Sequence, residues 1–252
     1  MWARTATIVS ALVLCGCAAE ETRVEHDPLE PLNRGVHKFN DVTDRVLLKP
    51  IAKGYRAVMP SFARRGVSNA LDNLGTPRSS LNNFLQGKPA RGFDDIARFL
   101  FNSTLGLGGL IDVASHGGLE EYNEDFGQTL AVWGVPDGPY IVLPLLGPST
   151  LRDAFVRPAD IFMDPVVYLD DTGARDKLIA LRIIDLRTRL LKADRLLDDS
   201  KDKYITIRES YLQNRNYVIY DGDPPEDDDF YDDFEDFDDE ELEPSETSDD
   251  GS

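Results

Sequence analysis

The apolar residues of this chain are gathered into short helical segments that proline, glycine or charge interrupts. Residues 29–48 place apolar side chains at intervals of three and four, which is the period of one helical face. The Lys-Pro pair at 49–50 breaks or kinks that helix, and Gly-Thr-Pro at 75–77 ends a further helix predicted over 62–74. Because neither an internal repeat nor an alternation of strands and helices accompanies this pattern, the sequence predicts an all-α domain.

Residues 93–105 are predicted to be the most apolar helix of the body, and the whole stretch 93–114 approaches the length of a membrane span. Polar side chains interrupt it at Asp94, Asp95, Arg98, Asn102 and Asp112. A charge at the centre of a lipid-exposed helix costs about 2.5–3.5 kcal/mol on insertion scales. The stretch is therefore predicted to form two shorter helices that meet at the glycine-rich residues 106–109.

Other helices are predicted from the same spacing, each bounded by turn-forming residues. They cover residues 78–86, 126–134, 149–155, 174–197 and 201–216, with an extended loop or small strand at 136–148 and an apolar loop or short helix at 158–169. Several of these segments carry apolar side chains on more than one helical face. Such helices suit a body that sits in one leaflet of a membrane, with its apolar side chains in hydrocarbon. A water-soluble helical domain on a lipid tether is the alternative that periodicity leaves open.

The first residues of the chain have the layout of an export signal. Arg4 precedes the apolar residues 5–14, and small residues follow, as a signal peptide over 1–16 requires. The sequence Leu-Cys-Gly-Cys at 14–17 resembles a bacterial lipobox, which predicts lipid attachment at Cys17 and a tether over 17–27. Ala18 follows the cysteine, and by resemblance to the sorting rule this favours the outer membrane. An ordinary signal peptide or a buried core helix is the alternative.

Charge is distributed very unevenly along the chain. Residues 221–252 hold 18 Asp and Glu and no Lys or Arg, and without them the chain has 28 acids against 27 bases. An acidic segment of this kind is predicted to be a disordered tail, assigned to 218–252, beyond a helical domain at 28–217. The charge-balanced body offers no basic face to a phosphate backbone, so nucleic acid is excluded as a partner.

The sequence also lacks the usual patterns of catalytic and metal-binding sites. Its three histidines do not fall in an H-E-x-x-H spacing, and no cysteine remains free once Cys17 carries lipid. No G-x-S-x-G elbow is present, and the glycines at 106–109 do not follow the spacing of a phosphate loop. We therefore predict no metal, no cofactor and no enzymatic activity.

Several blocks of the sequence resemble the MlaA/VacJ family of outer-membrane lipoproteins. The first is D-P-L-E-P-L-N-R-G-V-H-K-F-N at Asp27–Asn40. The later blocks are Asn83–Pro89, Arg98–Ala114, Glu124–Val135, Gly138–Asp153 and Leu197–Leu212. They occur in the order of the family and together cover about residues 27–217, whereas the acidic tail lies outside the resemblance.

The resemblance implies a specific architecture and activity. Members form a ring-like bundle of short amphipathic helices around a central channel, monotopic in the inner leaflet of the outer membrane. They remove mislocalised phospholipid from the outer leaflet and pass it to a soluble periplasmic carrier, beyond which an ATP-driven inner-membrane complex acts. They commonly associate with trimeric porins. The channel would be passive, with a polar lining for the headgroup and apolar walls near the tails.

Five residues match family motifs linked to the channel. Phe39 and Asn40 match a motif near the control region of the ring, and Gly106, Gly108 and Gly109 match its flexible hairpin joint. Packing is the alternative role for all five. Two other functions are alternatives to lipid transport: a porin-associated structural lipoprotein without lipid conduction, and a surface lipid hydrolase.

Overall fold

The computed structural model describes residues 27–225. The predicted signal peptide, the lipid anchor at Cys17, the tether up to residue 26 and the acidic segment 226–252 lie outside the described residues. The chain divides into two units, one that ends at Tyr211 and one that begins at Leu212. The elements described next, up to the start of the last helix, all belong to the first unit.

Helical backbone runs without a break from residue 30 to residue 58. Helix α1 spans Glu30–Thr43, a π-helical turn covers Asp44–Leu48, and α2 spans Lys49–Val58. Pro50 lies in the first turn of α2 and does not interrupt the helical backbone. The junction is marked instead by the π-helical turn. Helix α2 ends at Val58, and the extended backbone of the capping residue Met59 suits the following proline.

Helix α3 corrects a prediction, since Ser61–Leu85 is one helix of 25 residues that includes Pro77. The sequence predicted that residues 75–77 would end one helix and that a second would cover 78–86. Proline at this position removes only one backbone donor, while buried polar side chains on both sides of it hold the helix against the next one. Asn73 bonds to Ser103, and Ser79 bonds to Asp95.

Two further predictions about helices and the joint between them are confirmed. Helix α4 spans Pro89–Thr104, and the short helix α5 spans Val113–His116, with the glycine-rich turn between them. Helix α6 spans Phe126–Val132 and is capped by the Asp125 side chain, which accepts a hydrogen bond from the backbone N–H of Gln128 at 2.8 Å.

The apolar residues near 140 form a small hairpin rather than an extended loop. Strand β1 (Tyr140–Leu143) pairs antiparallel with β2 (Gly147–Thr150), and Tyr140 lies opposite Thr150. The next helix follows at once, because Thr150 also caps α7 by accepting from the N–H of Asp153. Helix α7 (Leu151–Met163) continues through Pro158 and replaces the loop that was one of two predictions there.

The C-terminal elements are a 3₁₀ turn at Pro165–Tyr168 and the helices α8 (Thr172–Leu190), α9 (Asp194–Asp199) and α10 (Lys203–Ile219). The single helix predicted over 174–197 is wrong, because a turn at 191–193 separates α8 from α9. The turn brings Asp194 back to Arg187, at 2.9 Å. On α8, Asp185 is buried and Leu186 is exposed, while Leu178, Leu181 and Ile184 are half-buried.

The fold is predominantly helical, as predicted, but its burial pattern is inverted. Among the described residues, nine apolar side chains are buried against twenty polar or charged ones, while 39 large apolar side chains are exposed. Within residues 27–225, no helix has both the length and the apolar character needed to cross a membrane. The helices therefore turn polar faces inward without being membrane spans.

Candidate functional site

Helix α4 carries its polar residues on one face and turns that face inward. Asp95, Arg98 and Asn102 are spaced by three and four residues, and all three are buried. The exposed face presents Phe93 and Leu100. The charges that interrupt this apolar segment in the sequence are thus the interior face of an amphipathic helix.

Helix α3 supplies a matching polar stripe. Its members are Asn69, Asn73, Thr76, Ser80 and Asn83, which alternate in spacing between four and three residues. Ser80 Oγ donates to the backbone oxygen of Gly92 on α4 at 2.9 Å. The two helices therefore pack polar face to polar face, an arrangement in which each polar group needs a partner.

The carboxyl group of Asp95 is the centre of a first buried cluster. Its Oδ2 accepts from Ser79 Oγ at 2.8 Å and from Asn83 Nδ2 at 3.0 Å. Its Oδ1 is buried and has no hydrogen-bond partner among the described residues. Burial raises the pKa of Asp95 to about 6, against the opposing effect of the two hydrogen bonds.

A second cluster surrounds Arg98. Its guanidinium donates to the Leu119 carbonyl at 2.6 Å, to Ser115 Oγ at 3.0 Å and to the Asp112 carboxylate at 3.3 Å. Asn102 Nδ2 also donates to Asp112, at 3.0 Å. Burial would raise the pKa of Asp112, but the hydrogen bonds from Ser115 and Asn102, together with the charge of Arg98, lower it to about 2.

Between these helices lies a small crevice with an entirely polar lining, which we call the polar crevice. Its accessible volume is about 20 Å³, roughly the space of a single water molecule. It is lined by Asn69, Asp72, Asn73, Thr76, Arg98, Asn102, Asp112 and Glu121. The buried Oδ1 of Asn73 has no hydrogen-bond partner among residues 27–225, so the crevice retains unused capacity for a polar guest.

The predicted glycine joint packs against Asn73, one of the residues that line the polar crevice. A Cβ on Gly109, whose φ is +89°, would lie 2.8 Å from the Asn73 Cβ, and one on Gly106 would lie 2.2 Å from the Ile111 carbonyl oxygen. Gly108 has space around it, but its φ of +72° favours glycine. Close packing accounts for Gly106 and Gly109, and the positive φ accounts for Gly108, while a functional role as a joint stays a prediction.

The joint also carries exposed apolar side chains beside its polar contacts. Leu105, Leu107, Leu110 and Ile111 are all exposed, and the Leu110 carbonyl accepts from Asn69 Nδ2 at 3.3 Å. Polar lining and apolar surface thus meet within one turn of chain, which is the combination that an amphipathic lipid requires.

The other predicted pair, Phe39 and Asn40, takes different partners. Asn40 Nδ2 donates to the Leu143 carbonyl at 2.9 Å, and its Oδ1 accepts from the Leu145 N–H at 2.8 Å. Phe39 is exposed and lines an open apolar groove of about 380 Å³ with Leu32, Val36 and Pro144 among others. The pair therefore holds and borders the hairpin rather than the polar crevice, and its control role stays a prediction.

Sequence reasoning missed Asn33, seven residues before Asn40 on the same face of α1. Its buried amide donates to Asp27 at 2.8 Å and to the Tyr140 carbonyl at 2.9 Å, and it accepts from the Val142 N–H at 2.9 Å. Two asparagines one heptad apart on an apolar helix were the available signal. We call Asn33 and Asn40 the hairpin clamp.

The crevice residues of α4 were noticed in the sequence but were interpreted only as interruptions. Their spacing of three and four was the available signal for a buried polar face. As for cofactors, the described part of the chain holds no group of three or more His, Cys, Asp or Glu arranged for a metal ion. The absence of a cofactor stays an expectation.

Comparison with known proteins gives consistent matches. Residues 25–218 match the MlaA lipoprotein family. The chain is 38% identical over 224 residues to the intermembrane phospholipid transport system lipoprotein MlaA of Escherichia coli K12, covering 86% of this chain and 89% of that protein. It is 35% identical over 227 residues to the protein of the same name from Haemophilus influenzae, covering 85% and 89%.

A solved structure is also similar. The match has a TM-score of 0.68 and 40% sequence identity, and it covers 77% of this chain and 98% of the other. That structure is described as the structural basis for maintenance of bacterial outer membrane lipid asymmetry. Sequence and structure thus point to one family across most of the described residues.

Proposed function

Because the chain belongs to the MlaA lipoprotein family, we propose that it is the outer-membrane lipoprotein of an intermembrane phospholipid transport system. In this role it removes mislocalised phospholipid from the outer leaflet and passes it to a soluble periplasmic carrier. The observation that carries the proposal is the inverted burial of the first unit, which keeps polar groups inside and leaves apolar side chains outside.

The exposed apolar side chains support embedding in one leaflet. Val58 is 86% exposed and Phe155 is 84% exposed, and many other large apolar side chains of the first unit are also exposed. A water-soluble domain rarely exposes apolar surface on this scale, because each Å² left in water costs about 25 cal/mol. Hydrocarbon removes that cost. The embedded body is therefore favoured over the soluble domain on a tether, and Cys17 provides the lipid that directs it to the outer membrane.

The polar crevice is the proposed position of the headgroup during transport. Its lining offers both donors and acceptors, from Arg98 and Asn69 to Asp112 and Glu121. Moving a charged or zwitterionic headgroup through hydrocarbon without such groups is costly. Since the crevice holds about one water in this conformation, a lipid headgroup requires that it widen, and the ring with its central channel is proposed on the family resemblance.

The proposed transport step is passive. The exposed leucines of the joint keep the acyl chains against apolar surface while the headgroup exchanges its water for the crevice side chains. Direction comes from the soluble carrier, which removes lipid on the periplasmic side. A trimeric porin is the proposed membrane partner, since a second protein surface can cover part of the exposed apolar side chains.

Reconstitution tests the proposal. The full-length lipidated chain is placed with a trimeric porin in vesicles that carry headgroup-labelled phospholipid, and a soluble lipid-binding carrier is supplied outside. We expect labelled lipid to appear on the carrier intact, at a rate well above that of vesicles with porin alone.

Each competing function gives a different result in the same experiment. A surface hydrolase would release free fatty acid, and a porin-associated structural protein would leave transfer at the rate of porin alone while still co-purifying with the porin. Either result contradicts the proposal.

A further inference from the structure

A second polar depression lies between α2 and the turn that joins α8 to α9, away from the residues of the polar crevice. Its volume is about 400 Å³, within the range of about 300–1,000 Å³ typical of small-molecule sites. We call it the basic groove. Its walls are close together because Ala52 of α2 is fully buried and its carbonyl accepts from Thr188 Oγ1 of α8 at 3.5 Å.

Five cations from two elements converge on this groove. Lys49, Lys53 and Arg56 are spaced by four and three residues on one face of α2, and Lys192 and Arg195 face them from the α8–α9 side. The charge-balanced body thus concentrates positive charge at one place. Helical spacing places three of the cations on one face of α2, and the close approach at Ala52 brings the other two opposite them.

The two carboxylates of the groove neutralise only part of this charge. Asp194 is paired with Arg187 at 2.9 Å and with Lys49 at 2.9 Å, and Asp198 is paired with Lys203. Within residues 27–225, the remaining four groove cations have no ion-pair partner: Lys53, Arg56, Lys192 and Arg195. Four unpaired cations around one groove repel each other, and a bound anion relieves that repulsion.

Apolar side chains beside the groove indicate where it lies relative to lipid. Val46 and Leu47 precede α2 by one turn, and Leu190 and Leu196 stand on either side of the opposing turn, all four of them exposed. Cations next to an exposed apolar surface are typical of the zone where lipid phosphates lie, because the side chains reach from hydrocarbon to the headgroups.

We propose that the basic groove binds the phosphate of an anionic phospholipid headgroup, such as that of phosphatidylglycerol. Arg56 and Arg195 supply planar donor pairs that match phosphate oxygens, and the lysines supply charge. An anionic headgroup is preferred over a choline headgroup, whose own cation would face the groove cations. This site goes beyond the proposed transport function, since it uses different residues and its binding can be measured without transfer.

Titration calorimetry on the full-length chain in neutral detergent micelles tests the site. The probes are dihexanoyl phosphatidylglycerol, dihexanoyl phosphatidylcholine and inorganic phosphate. We expect saturable binding of the phosphatidylglycerol, at least about tenfold tighter than either other probe. Replacement of the four unpaired cations by glutamine (K53Q/R56Q/K192Q/R195Q) should weaken it at least about tenfold, since each cation near a lipid surface contributes substantially.

The matched control removes four exposed cations elsewhere, at Lys38, Arg65, Lys177 and Lys201, also by glutamine. It changes the net charge equally and should leave the affinity within about twofold. Asp198→Asn provides a variant in the opposite direction: it removes a groove carboxylate and should tighten binding by about threefold, a gain that misfolding cannot produce.

Three results would overturn the site. Equal losses in the groove variant and the matched control would show a general charge effect. Inorganic phosphate as tight as phosphatidylglycerol would show a phosphate site rather than a lipid site. Absence of saturable phosphatidylglycerol binding would remove the site altogether, while leaving the reconstituted transfer assay free to succeed or fail on its own.

Discussion

The hairpin clamp and the polar crevice both bury asparagines, but they use them differently. In the clamp, the Asn33 and Asn40 amides each donate to a backbone carbonyl and accept from a backbone N–H of the hairpin. In the crevice, Asn73 donates to Ser103 while its Oδ1 has no partner among the described residues. In the separate Asp95 cluster, Asn83 donates to Asp95 and its Oδ1 likewise has none.

The difference indicates which asparagines stabilise the fold and which are available for function. A buried amide that is satisfied on both sides pins a strand edge and holds the fold together. An amide whose buried oxygen is unpaired contributes less to the stability of the fold. That oxygen stays available as a hydrogen-bond acceptor, which a site that must bind a passing polar group needs. The clamp should therefore govern stability, and the crevice should govern lipid transfer.

The largest expected effect is that of Asn33→Ala. It removes three hydrogen bonds and leaves the Tyr140 carbonyl and the Val142 N–H of β1 without their side-chain partner, whereas Asp27 keeps Tyr204 and Arg208. We expect the free energy of unfolding to fall by about 4 kcal/mol, measured by denaturant unfolding in detergent micelles. Asn40→Ala, at a half-buried position, should lose about half as much. Equal small losses would show that the clamp does not hold the hairpin.

The second effect concerns the glycine joint, which packs against the crevice residue Asn73. In Gly106→Ala the new Cβ meets the Ile111 carbonyl oxygen at 2.2 Å, so we expect a loss of about 3 kcal/mol. Gly108→Ala meets only the cost of a positive φ and should lose about 1 kcal/mol. A thermal unfolding series in which both variants match the wild type would indicate a joint loose enough to absorb the clash.

The third effect is a pH dependence at Asp95. Its pKa is raised from its ordinary value to about 6 by burial, so the folded state binds the proton more tightly than the unfolded state does. Its contribution to stability is complete below about pH 4 and is lost as the pH rises through about 6. Asp95→Asn should therefore be more stable than the wild type by about 2 kcal/mol at pH 7.5, with the difference vanishing near pH 4.

Asp112→Asn is the matched variant, and its expected change in stability has the opposite sign. The pKa of Asp112 is lowered to about 2, so its carboxylate stabilises the fold above about pH 4 and this contribution is lost as the pH falls through about 2. The variant should be less stable than the wild type at pH 7.5. Unfolding curves for both variants between pH 2 and 8 check the two directions, and parallel curves would contradict this assignment.

The smallest stability effect is expected for Asn73→Ala. This variant loses one hydrogen bond, to Ser103, and no bond at Oδ1. We expect a loss of about 1 kcal/mol, against about 4 kcal/mol for the same substitution in the clamp. Equal losses in the free energy of unfolding for Asn73→Ala and Asn33→Ala, measured with denaturant, would contradict the proposed difference between the regions.

Periodicity predicted most of the helices and the joint, but not which face of a helix points inward. Asp95, Arg98 and Asn102 recur at helical spacing, yet the sequence alone does not state whether the surroundings are water or lipid. In water the polar face would be outside, and in a membrane the order reverses.

Contacts between residues distant in sequence account for the remaining differences between the predicted and the observed structure. Pro77 normally favours a helix end, but the polar face shared with α4 holds both halves of α3 in one helix. The hairpin clamp depends on contacts more than 100 residues apart in sequence, which local patterns do not encode. The resemblance supplied the family, and only the coordinates supplied the clamp and the crevice.

The most direct test of the crevice as the headgroup position is lipid transfer by Thr76→Leu. This substitution fills the polar crevice with an apolar side chain at a half-buried position. Arg65→Leu, exposed on the same helix outside the crevice, is its control. In porin vesicles with a soluble carrier, we predict that transfer of intact labelled phospholipid falls at least about tenfold in Thr76→Leu, corresponding to about 1.4 kcal/mol or more in the barrier. Arg65→Leu should transfer at the wild-type rate, and both variants should stay folded. Wild-type transfer by a folded Thr76→Leu would contradict the account.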